Sequence, residues 1–124
     1  MTGPAGEWLA GLRFDWLETA PCAHRRMTVA YRPGNRLRNL ITIRNRTCAF
    51  PGCRRPARQC DLDHTTPWED GGCTCECNLA PLCRRHHRAK QGPGWHVEQP
   101  EPGVLIWNTP HGRTYTSVPE PYLA

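Results

Sequence analysis

The chain has 124 residues, 38% of them hydrophobic, which allows one modest domain whose small core gains from a metal or disulfide staple. No apolar run is long enough to cross a bilayer, and the net charge of +5 favours a polyanionic partner. Eight cysteines would suit an exported disulfide framework, but Met1 to Ala20 carries Glu7, Asp15 and Glu18 and does not read as a signal peptide; the expected compartment is therefore cytoplasmic, where clustered Cys and His bind metal.

In chain order, Trp8, Leu9, Leu12, Trp16 and Leu17 recur at helical spacing and predict a short amphipathic helix over Glu7–Glu18, stopped by Pro21. Residues 1–31 thus read as a helical extension, the last helix of a preceding domain. Pro33-Gly34 marks a turn, and Asn35 is the expected N-cap of a helix to Asn45, with Leu37, Leu40 and Ile41 inward and Arg36, Arg38 and Arg44 outward. Cys48 to Cys53 reads as a knuckle that Pro51-Gly52 reverses. Cys60 to His64 predicts a brief strand, and after a loop Asn78-Leu79 opens the returning one. Pro81 is expected in the first turn of a helix from Leu82 to Lys90. Trp95–Val97, Val104–Trp107 and Thr114–Thr116 then predict a β meander that sets Trp95 and Trp107 against the earlier elements. The main domain spans residues 32–118, and residues 119–124 form a frayed tail.

Two short-spaced pairs, Cys48/Cys53 and Cys83/His86, have the ligand types and spacing of a structural Zn²⁺ site. Positions three apart share a helix face, so Cys83 and His86 can meet one ion, whereas His87 lies roughly 100° further round and points elsewhere. Zinc there would supply folding free energy that the small core lacks. Cys60, Cys73, Cys75 and Cys77 are expected to stay free thiols, because alternate loop positions do not fix a tetrahedron; a second zinc is the competing reading.

Between Glu18 and Asp61 there is no acidic residue, while Arg25, Arg26, Arg32, Arg36, Arg38, Arg44, Arg46, Arg54, Arg55 and Arg58 all fall there. A solvated arginine face is one reading; the other is a phosphate-binding surface, since guanidinium groups meet phosphate oxygens bidentately. Arg36, Arg44, Arg54, Arg55, Arg84, Arg85, Arg88 and Lys90 are the candidates for contact with DNA.

Phosphodiester hydrolysis needs a base, a divalent cation and groups that position the backbone. His64 can be the base, because imidazole titrates near neutrality. Asp63 and His87 can hold one cation between strand and helix, and Asn78 can fix the backbone around His64. Taken singly, each has an ordinary structural explanation.

Asp63-His64, Asn78 and His87, set between Cys48-x4-Cys53 and Cys83-x2-His86, resemble the His-Asn-His (HNH) endonuclease family, and most closely an actinobacterial subgroup in which the nuclease follows a helical domain. The phrases Arg46 to Cys53, Cys60 to His64 and Asn78 to Lys90 carry the resemblance, which covers about Arg32 to Val118. It implies an α+β fold: a small zinc-stabilised ββα-metal, treble-clef-like domain with the N-terminal extension and C-terminal meander. It also implies that His64 activates water, that Asp63 and His87 bind Mg²⁺ or another divalent ion, that Asn78 orients His64, and that the products carry a 5′-phosphate and a 3′-hydroxyl. The competing class is a zinc-stabilised DNA-binding module without catalytic activity.

Overall fold

The computed structural model describes residues 27–121, so the helix expected over Glu7–Glu18 lies outside the described residues. Within them the chain is a small α+β structure with a two-stranded and a three-stranded antiparallel sheet.

Helix α1 (Asn35–Arg44) forms where Leu37 and Ile41, four residues apart, make one buried face. That face packs on Leu79, with Leu40 and Leu62 at its margin. Gly34, not Asn35, takes the N-cap position. Arg44 is the larger departure: instead of facing outward it turns in, and its guanidinium donates to the carbonyls of Glu76 (2.6 Å) and Leu79 (2.7 Å). Burial lowers its pKa to about 10. A buried donor fork beside two free carbonyls satisfies them better than water would, which overrides the helix-surface pattern.

The Cys48–Cys53 knuckle closes with the Cys53 amide on the Phe50 carbonyl at 3.0 Å, and Gly52 takes a φ of 81° that its neighbours would resist. Strand β1 (Asp61–His64) then pairs with β2 (Leu79–Leu82), with Asp61 opposite Leu82, Asp63 opposite Ala80 and His64 opposite Leu79. Pro81 belongs to β2 and not to the following helix. It is tolerated because a two-stranded ribbon leaves one edge unpaired, and its carbonyl accepts from the Ala49 amide at 2.8 Å. Helix α2 (Arg84–Lys90) therefore begins two residues later than expected, after Cys83 as N-cap.

The meander forms at the three expected strands: β3 (His96–Glu101), β4 (Val104–Asn108) and β5 (Thr114–Ser117), with β4 central. Leu105 and Trp107, two apart, both point into the core. They meet Cys48, Ala49, Ala80, Leu82 and Cys83 there. Trp107 is fully buried, and its indole N–H donates to the Ala49 carbonyl at 3.0 Å, so the meander braces the knuckle directly. The start of the tail is also held: Glu120 pairs with Arg46 at 3.3 Å and with Arg54 at 3.9 Å. No helix among the described residues is long and apolar enough to cross a membrane.

Candidate metal centre and adjoining cleft

The donor atoms of Cys48, Cys53, Cys83 and His86 lie within 4.8 Å of one another. A zinc tetrahedron with bonds near 2.3 Å to sulfur and 2.0 Å to nitrogen has edges of roughly 3.5–3.8 Å. His86 Nδ1 lies 3.6 Å from Cys48 Sγ and 3.3 Å from Cys83 Sγ, close to those edges. The set can hold a metal ion such as zinc. Phe50 stacks on the His86 ring at 3.9 Å and 2°, which fixes the imidazole plane toward the thiols.

The electrostatics suit a metal. Burial pushes the Cys48 thiol up to about 12, so without an ion it stays protonated. Burial also acts on Cys83, but hydrogen bonds from the His86 backbone and from the Cys48 and Cys53 thiols outweigh it and hold this thiol below its ordinary value. Burial and the Arg85 charge lower the pKa of His86, favouring the neutral imidazole that coordinates metals. Among the described residues no second such cluster forms; Cys73 and Cys77 approach to 3.9 Å.

A single residue step around α2 separates two kinds of chemistry. Arg84, His87 and Lys90, three apart, form a stripe beside the Cys83/His86 stripe. On β1, Asp61 and Asp63 share a face by strand alternation, and that face meets the Arg84 stripe. His87 thus bridges both carboxylates, Nδ1 to Asp61 at 3.1 Å and Nε2 to Asp63 at 3.1 Å. Lys90, expected at the DNA surface, instead binds the other Asp63 oxygen at 2.5 Å and the His64 carbonyl at 2.7 Å. Arg84 meets Asp61 at 3.0 Å. Burial raises the pKa of Asp61, but the bonds from His87 and Arg84 prevail and hold its carboxyl below the usual range.

His64 is buried on the opposite face of β1. Its Nε2 lies 2.9 Å from Thr74 Oγ1, and its ring stacks on Tyr31 at 5.2 Å. Thr74 Oγ1 also lies 3.3 Å from the Tyr31 carbonyl, so the hydroxyl sits between the imidazole and that backbone oxygen. Burial lowers the His64 pKa, with the Asp63 charge opposing. Asn78 does not touch the ring: its amide donates to the Thr66 and Cys73 carbonyls at 3.0 and 2.9 Å, and its oxygen accepts from the Thr66 amide at 2.9 Å. It laces the ends of the loop that follows His64. Gly72 makes room for that lacing, since a Cβ there would overlap the Thr66 carbonyl and lie 2.8 Å from Asn78 Nδ2.

A cleft of about 470 Å³ has residues from both faces of β1 in its walls, among them His64, Asp61 and His87, so it follows the strand's unpaired edge. Arg84 and Arg88 line it, as do Arg32 and Arg38, which were not among the DNA-contact candidates. Arg36, Arg54, Arg55 and Arg85 are exposed outside that lining. Sequence reasoning missed Asp61, Thr74 and Tyr31; strand alternation could have found Asp61, but nothing local points to the other two.

The chain is 45% identical over 91 residues to the uncharacterized protein Rv3776 of Mycobacterium tuberculosis, a match covering 73% of this chain and 17% of that protein. It is 44% identical over 90 residues to the uncharacterized protein Rv2100 of the same organism, covering 72% and 16%. The chain spans about one sixth of the length of these curated relatives. No family model matches it, and no solved structure does.

Proposed function

We propose that this chain is a metal-dependent DNA endonuclease of the HNH type, with β1, β2 and α2 as its ββα-metal unit. One observation carries the reading: His64 and His87 line a single cleft with Arg32, Arg38, Arg84 and Arg88. His64 takes a proton from water, while Thr74 holds the ring at Nε2. The arginines bind backbone phosphates, bidentately where two oxygens present themselves. Asn78 keeps the loop after His64 in place through its three bonds to Thr66 and Cys73.

Asp63 and His87 would hold Mg²⁺ or another divalent cation, since strand β1 and helix α2 bring a carboxylate oxygen and an imidazole nitrogen together. Bound there, the cation would offset phosphate charge and steady the leaving oxygen. Lys90 orients Asp63 from its other oxygen. One observation favours the second reading, a DNA-binding module that cuts nothing: His87 and Lys90 already satisfy both Asp63 oxygens without a cation.

Plasmid DNA incubated with the zinc-loaded chain and Mg²⁺ or Mn²⁺ separates the two. Nicking or linearisation by the parent and its loss in His64→Ala support the nuclease. Equal cutting by both removes His64 from the chemistry, and binding without cutting by either leaves the module.

A further inference from the structure

We propose that Tyr31, in the wall of the cleft, and Trp68, which packs against Tyr31 from outside that lining, form a corner that stacks an unpaired nucleobase, so that the cleft takes single-stranded DNA. The inference rests on the nucleic-acid reading of the same cleft and adds to it the state of the strand. Both rings are large and exposed, Tyr31 by 56% and Trp68 by 44%, so each leaves aromatic surface open to a partner. Their centroids are 5.6 Å apart and their planes meet at 81°. A flat heterocycle can stack on one such ring and meet the other edge-on, the two arrangements aromatic pairs prefer.

The position of the corner decides its use. Tyr31 lies against His64 at 5.2 Å and 21°, so a base held there brings its own phosphate near the candidate general base. Charge orients the strand in the same sense. Arg32, Arg38, Arg84 and Arg88 lie along the cleft, while Glu69 and Asp70 follow Trp68. Phosphates are drawn to the arginine side and the uncharged base is left for the aromatic corner. In a duplex both faces of a base are already covered by its neighbours, so only an unpaired or extruded base can use the corner.

The test measures equilibrium binding of the intact zinc-loaded chain, without added divalent cation so that no cutting intervenes. The probes are a short fluorescent oligothymidylate, an abasic strand of equal length, a duplex and an oligouridylate. The abasic strand keeps every phosphate and lacks the bases. Oligothymidylate should bind at least about tenfold more tightly than the abasic strand. Trp68→Ala should abolish most of that difference while leaving abasic binding unchanged, and Trp68→Phe and Tyr31→Phe should retain it. Equal binding of the thymidylate and abasic strands would overturn the proposal, as would tighter binding of duplex or oligouridylate, or an unaltered preference in Trp68→Ala. The outcomes separate from those of plasmid cutting: a base-dependent preference without cleavage removes the nuclease and keeps the corner, and cleavage without the preference does the reverse.

Discussion

His86 and His87 are neighbours on one helix and serve different groups: His86 Nδ1 lies 3.3 Å from Cys83 Sγ, and His87 Nε2 lies 3.1 Å from Asp63 Oδ1. The roughly 100° step between consecutive helical residues produces this division. It joins a scaffold centre to a cleft through a single peptide bond, so a change in helix α2 disturbs both.

Removal of the metal from the Cys48–Cys53–Cys83–His86 set should unfold the domain, because the core beside it is a handful of side chains. Elemental analysis should give one zinc per chain, falling in His86→Ala with a lower melting temperature. Zinc binding should release protons, since burial keeps the Cys48 thiol protonated up to about 12 without it. A chain that melts at the same temperature with and without chelator would refute this.

Arg44→Ala should cost about 2 kcal/mol, the range for charge-assisted hydrogen bonds to partly buried carbonyls. Arg36→Ala, on the exposed side of the same helix, should stay within about 0.5 kcal/mol. Urea unfolding of the two variants gives the comparison, and equal stabilities would show that the bonds to Glu76 and Leu79 contribute nothing.

Gly72→Ala should loosen the loop after His64, because its Cβ would overlap the Thr66 carbonyl and crowd Asn78 Nδ2. Asn78→Ala removes three hydrogen bonds and should cost roughly 2–4 kcal/mol. Amide exchange in residues 65–77 should accelerate in both variants while the β3–β5 meander keeps its protection. Unchanged loop protection would count against the lacing.

Burial lowers the His64 pKa from 6.5, which gives a definite sign. Above 6.5 the ring is neutral in both folded and unfolded chains and subtracts nothing from stability. As pH falls below 6.5 the unfolded chain takes up a proton first, and stability declines until the folded ring is protonated too. A cutting chain should keep its activity into mildly acidic solution, further than an exposed imidazole would allow. An NMR titration of the His64 ring should give a midpoint below 6.5, and one above it would reverse both expectations.

The ligand set at 48, 53, 83 and 86 was legible because metal ligation rests on residue type and short spacing, both of which lie on the line of the chain. The meander was legible for a similar reason: its three short apolar or β-branched runs are separated by Pro/Gly turns, which are local signals, although which side of β4 is buried was not. Asp61 was partly legible, since it shares a strand face with Asp63.

What the sequence alone determined, then, is whatever a few adjacent residues settle: the two pairs of metal ligands, the short strands between turns and the helical step that divides His86 from His87. Only tertiary structure decided that Arg44 and Lys90 are internal clamps, that Thr74 and Tyr31 enclose His64, and that Arg32 and Arg38 join Arg84 and Arg88 along one cleft. The reason is physical: whether a charged side chain meets solvent or a buried carbonyl depends on which distant backbone groups lack partners, and no window of sequence contains that information.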